Sequence, residues 1–215
     1  GALRSRPQNT QYFFKEGITW STVTMGKPSF RFSSAGRIFE SGGSTLFSIE
    51  EDIYFLLGVL NSKLGELAVG ILSPKVSLGE GAVAKFPIPK FDDEIKKSIS
   101  KIAYTLVEDF KNMEFFNESS FHFKGLDLLN SSEIFISDYS IRFQNFFNMK
   151  IEDIYEKERT IDDLISKQPL QNEKNNSNDR DVNEFSDEVV GQKILSYAIG
   201  CMMGRYSLDE PGLIY

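Results

Sequence analysis

YFFKEGITWSTVTMGKPSFRFSSAGRIF, residues 12–39, interleaves aromatic rings, small hydroxyl side chains and basic groups, with Glu16 as its one acid. Residues 18–24 are rich in the β-branched and aromatic types that suit a pleated surface. Gly26-Lys27-Pro28 is a turn signal, and Phe30-Arg31-Phe32 alternates apolar with charged as a half-buried strand does. Two further short strands are expected at 37–40 and 45–48, punctuated by Gly36 and by Ser41-Gly42-Gly43-Ser44. A small sheet near the start of the chain follows.

Helix signals take over after the sheet. Ser48 and Glu51 are spaced as a capping box ahead of a helix over 52–63, with Ile53, Leu56, Leu57 and Leu60 on its buried face. A second helical piece is expected over 64–72. Phe86-Pro87-Ile88-Pro89 reads as an extended strut, because each proline disfavours helix at the residue before it. Asp92 is placed to cap a helix whose stripe runs Ile95, Ile99, Ile102, Ala103, Leu106, Val107 and Phe110. Helix is expected again from Ser132 to about Lys167, carrying Phe143, Phe146, Phe147, Ile151, Ile154, Ile161, Leu164 and Ile165. Residues 169–181, dense in Asn, Asp, Glu and Lys, form the linker candidate, and a last amphipathic helix over 189–203 stops at Gly204. The fold class is therefore α+β. A small mixed strand/helix lobe, residues 1–90, is followed by a helical spacer bundle, residues 91–215, with a flexible linker at 169–186.

Charge follows the same division. Residues 1–90 carry ten Lys/Arg and seven Asp/Glu, whereas residues 91–215 carry 14 and 24, for a total of -7. Within residues 1–39, Arg4, Arg6, Lys15, Lys27, Arg31 and Arg37 face Glu16 alone. A positive, aromatic-rich sheet on an acidic chain points to an anionic partner, nucleic acid first. The competing reading is an ordinary sheet with its charges facing water. No apolar run approaches the roughly 18 residues of a membrane span, and the first residues do not read as a secretory leader. A single cysteine, Cys201, excludes an intrachain disulfide and fits a reducing cytoplasm. One His and one Cys leave no set for structural zinc. The chain reads as a piece of a longer polypeptide.

The residue types in the basic stretch suit DNA. Arg31 and Arg37 can bridge guanine O6 and N7 or clamp phosphate, and Lys15 and Lys27 suit phosphates. Thr19, Ser21, Thr22, Ser33 and Ser34 can contact either. The DNA-binding set is accordingly Lys15, Thr19, Ser21, Lys27, Arg31, Ser34 and Arg37. Trp20, beside Ile18, reads as core, Cys201 as a small core residue, and His122 as an ordinary packed or surface histidine. Asp92-Asp93-Glu94 reads as a helix N-terminus attracting acids rather than a metal site. Glu152, Asp153, Glu156, Glu158, Asp162 and Asp163 read as a solvated helix face.

Several phrases carry a family resemblance. FFKEGITWS (13–21), FRF (30–32), GRIFESGGSTLF (36–47), LLGVLNSKL (56–64) and FPIP (86–89) resemble the carboxy-terminal target-recognition region of adenine-specific DNA methyltransferases and single-chain restriction–modification enzymes. ILSYAIGCMMGRYSLDEPGL (194–213) resembles the PglX family of BREX phage-exclusion systems. The resemblance implies a domain that positions double-stranded DNA for a catalytic domain of the same parent chain, which flips an adenine and methylates its N6 with S-adenosylmethionine. Such enzymes carry an Asn-Pro-Pro-Tyr-type motif and a Gly-rich cofactor motif. This chain has no Pro-Pro dipeptide, and Gly79-Glu80-Gly81 lacks a strand-then-helix setting. No catalytic, cofactor or metal residue is therefore expected within these 215 residues. The alternative is a protein-interaction module docking other phage-defence proteins or phage inhibitors.

Overall fold

The structure, a computed structural model, describes residues 8–23, 27–40, 42–73, 77–120, 122–126, 135–167 and 186–207. Among these residues it has a three-stranded antiparallel sheet and six α-helices, an α+β architecture as the sequence predicts. The chain divides into two compact units, Gly1–Thr105 with Glu158–Asn172, and Leu106–Lys157 with Glu173–Tyr215. Arg4, Arg6 and the linker expected at 169–186 lie outside the described residues, except Ser186.

In the first unit, β1 (Gly17–Ser21) lies between β2 (Arg31–Ser33) and β3 (Gly43–Leu46). Ile18 pairs with Phe32 and Leu46, and Trp20 with Ser44. Strand alternation sends these residues to one face. Ile18, Trp20 and Ser44 are buried there, and the indole N–H of Trp20 donates to the Leu78 carbonyl at 2.9 Å. Trp20 is core, as expected. The strand expected at 37–40 is not one: Glu40 makes only an isolated bridge to Gly43, and residues 37–39 have no ladder partner.

The first helix, α1 (Ile53–Asn61), begins one step later than the capping-box reading implies. Asp52 is its N-cap, its Oδ1 accepting from the N–H groups of Tyr54 at 2.9 Å and Phe55 at 3.0 Å. Ser48 cannot serve because its hydroxyl closes a turn with the backbone of Glu51. The Glu51 carboxylate instead receives Lys96 at 2.7 and 2.9 Å.

Helix α2 (Lys63–Leu72) leaves α1 at a 75° bend. Ser62 makes the corner: extended at φ -72°, ψ 167°, it donates to the Val59 carbonyl at 2.6 Å and accepts from the Gly65 N–H at 3.2 Å. A Cβ on Gly65 would strike the Leu60 carbonyl. The NSKL phrase is thus a structural corner. Its Asn61 pairs with the backbone of Phe30, and the Lys63 N–H is received by Asp162 at 2.8 Å. No single helix among the described residues is long and apolar enough to cross a membrane.

A four-residue helix, α3 (Glu80–Val83), precedes the proline strut, and α4 (Asp93–Glu114) follows it. The α4 stripe is only partly core. Ile99 and Ala103 are buried, Ile102 is half-buried and Phe110 is exposed. The 3.6-residue period places a stripe correctly but does not say how deep each neighbour covers it.

In the second unit, α5 (Ile136–Ser166, through Lys157) and α6 (Asp187–Met202) supply an aromatic core. Phe123, Tyr139, Phe143, Phe147, Val190, Tyr197 and Tyr206 are buried together, with Cys201 packed at the edge. Tyr206 belongs to it. Tyr206 stacks on Tyr197 at 5.4 Å, donates to Glu118 at 3.1 Å, and lies so close to Gly200 that no Cβ fits there. Phe146 is exposed, and His122 is a surface residue. The acids on α5 are not all solvated, since Asp153 meets Lys157 at 2.6 Å.

Candidate nucleic-acid interface

The sheet face opposite Trp20 carries Gly17, Thr19 and Ser21 of β1. The register sets Thr19 directly between Arg31 of β2 and Thr45 of β3, and Gly17 beside Ser33. Three residues expected to touch DNA, Thr19, Ser21 and Arg31, therefore share the uncovered face. Arg31 and Ser21 are exposed. The Thr19 hydroxyl already donates to the Ser44 carbonyl at 3.1 Å, so it is left as an acceptor.

An open groove of about 210 Å³ runs along the β3 side of this face. Lys15, Thr19, Ser33, Arg37, Ile38, Phe39, Glu40, Gly43, Thr45 and Phe47 line it. Its wall is aromatic: Tyr12 stacks on Phe47 at 5.0 Å, Phe13 meets Phe39 edge-on at 5.2 Å, and Phe39 packs on Phe47 at 5.3 Å. Lys15 reaches over the Tyr12 ring at 5.4 Å. The segment carrying Arg37 is tied to the start of the domain through its backbone, with the Phe14 N–H donating to the Arg37 carbonyl at 2.9 Å. Among the described residues neither Arg31 nor Arg37 has an ion pair, so both guanidinium groups stand available to an anion. Glu40 is the one acid in the groove.

The structure gathers Lys15, Thr19 and Arg37 in the groove and sets Arg31 and Ser21 on the same face. Lys27 lies elsewhere. It is ion-paired with Glu66 of α2 at 3.1 Å, the ordinary surface role for such a lysine. Ser34 is half-buried and does not line the groove, which Ser33 does. Sequence reading missed Ile38, Phe39, Thr45 and Phe47, of which Thr45 enters through the β1–β3 register. The alternation of Thr45 with Ser44 was the available signal. On the core face the Ser44 hydroxyl donates to Glu80 and holds that carboxyl below its ordinary value.

Among the described residues no group of three or more His, Cys, Asp or Glu is arranged to hold a metal ion. Gly79 is the N-cap of the short α3. The surface offers cations, hydroxyls and apolar rings.

No protein-family model matches the chain. It aligns with the adenine-specific methyltransferase BrxX of Escherichia coli O9:H4 (strain HS), 28% identical over 236 residues, covering 97% of this chain and 19% of that protein. It aligns equally with the adenine-specific methyltransferase PglX of Lacticaseibacillus casei (strain Zhang), 28% identical over 226 residues, covering 100% of this chain and 18% of the relative. The chain spans about a fifth of the length of these curated relatives. Along its whole length, the chain is homologous to adenine-specific methyltransferases of BREX systems.

Proposed function

We propose that this chain is the target-recognition region, from the carboxy-terminal part, of a site-specific adenine-N6 DNA methyltransferase working in the cytoplasm. Residues 1–90 hold double-stranded DNA, and residues 91–215 act as the helical spacer towards a catalytic domain of the same parent. That domain binds S-adenosylmethionine and carries out methyl transfer. The chain itself neither binds the cofactor nor transfers a methyl group. The observation that carries the reading is the uncovered sheet face. Lys15 and Arg37 line a groove there with hydroxyl groups, and Arg31 stands beside it, in a chain whose net charge is -7. Charge placed on one face of an otherwise acidic protein orients a polyanion onto that face.

The test is duplex binding by the chain across a salt series. Binding that weakens steeply with salt, and that disappears when Lys15 and Arg37 are both changed to Ala, supports the reading. Salt-independent binding, or none, overturns it. Measurable S-adenosylmethionine affinity by calorimetry would overturn the assignment of cofactor chemistry to the rest of the parent.

The second reading, a module that docks other phage-defence proteins or phage inhibitors, draws on exposed apolar side chains. Ile141 and Met149 of α5 and Leu195, Ile199 and Met202 of α6 stand in solvent. Stable complex formation through residues 91–215, with no DNA affinity in residues 1–90, is the result that selects it.

A further inference from the structure

Residues 12–15 close as a type II turn. Phe13 sits at φ -61°, ψ 145°, Phe14 follows at φ 66°, and the Lys15 N–H returns to the Tyr12 carbonyl at 3.4 Å. The third position of such a turn requires a positive φ and is normally Gly or Asn. A bulky ring there is an outlier that surrounding structure must hold in place. Here the backbone holds it. The Phe14 N–H donates to the Arg37 carbonyl at 2.9 Å, and the Phe14 carbonyl accepts from the Gly36 N–H at 3.1 Å.

Burial does not explain the ring. Phe14 is 60% exposed and meets the edge of Phe13, at 6.3 Å between centroids, while Phe13 packs into the aromatic wall. A glycine would make the same turn without strain and without exposing an aromatic face to water. The neighbours are informative: Lys15 follows in sequence, Arg37 is joined through the backbone, and both line the groove together with exposed Ile38.

We propose that Phe14 stacks on an unpaired or extruded base of the nucleic acid whose phosphates Lys15 and Arg37 hold. The inference rests on the recognition reading above and adds to it a residue with its own task. Two flanking cations fix the sugar–phosphate chain, and an aromatic face between them meets a base that has left its stack. Glu16, next to Lys15, and Glu40, in the groove, oppose phosphate at their own positions but do not repel the uncharged face of a base. Cations alone bind every duplex alike. The exposed ring adds a preference for DNA in which one base is free.

The test uses the 215-residue chain and two short fluorescein-labelled duplexes that differ only by one unpaired central adenine. The wild-type chain binds the bulged duplex more tightly. Phe14→Gly removes that preference, a loss of about 5- to 150-fold, the range of a base–aromatic stack. It leaves perfect-duplex affinity and its salt dependence unchanged, with an equal or higher melting temperature. Phe14→Trp retains the preference. A Phe14→Gly chain that keeps it, or that melts earlier, overturns the stacking role, as does a wild-type chain that binds both duplexes equally. A wild-type chain that binds neither duplex overturns the recognition reading along with it.

Discussion

The side-chain amide of Asn61 pairs with both backbone groups of Phe30, accepting from its N–H at 3.0 Å and donating to its carbonyl at 2.8 Å. Asn61 here does the work of a neighbouring strand: it ends α1 and holds the residue immediately before β2. Because Arg31 is the next residue, the amide also sets where that guanidinium enters the open face. Phe30 is buried against Trp20 at 5.7 Å, so its backbone has little water to turn to.

Asn61→Ala leaves both Phe30 groups without their partner and should cost about 2–6 kcal/mol, given about 1–3 kcal/mol for each unsatisfied buried group. Asn61→Asp keeps the acceptor and loses the donor, and should fall between the two. Urea denaturation measures the order. Equal stability of all three proteins would mean that the pair carries no load.

Gly58 of α1 faces Ile99 of α4: a Cβ on Gly58 would lie 2.7 Å from Ile99 Cγ2. Ile99 is fully buried, so Ile99→Ala should cost about 2–5 kcal/mol, and Ile102→Ala clearly less. Gly58→Ala gains helix propensity but meets the Ile99 methyl. In the double variant the obstructing methyl is gone, so the combined loss should be smaller than the sum. Additive losses would show that the helices part freely at this point.

Asp109 receives Lys157 at 2.5 Å and Lys150 at 3.2 Å, and Lys157 also meets Asp153. Burial alone raises the Asp109 carboxyl, but the hydrogen bonds and charges of the two lysines outweigh it and hold the group below its ordinary value. Burial likewise opposes the Lys157 charge, and the two carboxylates raise it above the usual amine range. A depressed carboxyl contributes stability above its unfolded value of about 3.9 and loses it as pH falls through the folded one. A raised amine contributes below about 10.4 and loses it as pH rises through the folded value. Asp109→Asn should therefore cost about 1.5–3 kcal/mol at neutral pH. The difference from wild type should be flat between about pH 5 and 9 and shrink below about pH 4. A difference that grows on acidification contradicts the assignment.

What was legible in the sequence was periodicity. β1 and the helices follow from it, because apolar spacing reflects which face is covered. What was not legible depended on partners distant in the chain. Residues 61–63 read as continuing helix, and only the Ser62 side chain turning onto Val59 and Gly65 makes them a corner. Ser48 and Glu51 have capping-box spacing, yet the Ser48 hydroxyl closes a turn on the Glu51 backbone and Asp52, which also accepts from Ser100 at 2.8 Å, caps the helix. The groove was half visible. Its cations and Thr19 come from the basic stretch itself, whereas its Thr45 and Phe47 wall arises from β3 pairing with β1. Nothing local distinguishes Lys27, occupied by Glu66, from Lys15, which is not.

That last difference yields a DNA-binding prediction in which two lysines of the same segment behave differently. Lys15 lines the groove and reaches over the face of Tyr12, and among the described residues it has no ion pair, so its charge remains free for a phosphate. Lys27 is partly neutralised by Glu66, and its substitution removes a surface pair worth at most about 1 kcal/mol. Each released phosphate contact takes about 0.9 from the slope of log affinity against log salt. Lys15→Ala and Arg37→Ala should each flatten the slope by roughly one unit, and Lys27→Ala by clearly less. Glu66→Gln frees Lys27 and should steepen the slope slightly. Arg31 sits on the open sheet face across from Thr19, where a base edge is the alternative to a phosphate. In the full-length parent, Arg31→Ala should then cost about 1–3 kcal/mol at one base position and relax the methylated sequence there. Sequencing of methylated genomic DNA reads that outcome. If the Arg31→Ala and Arg37→Ala parents both methylate the unaltered set of sites at unaltered rates, the reading surface lies away from this sheet.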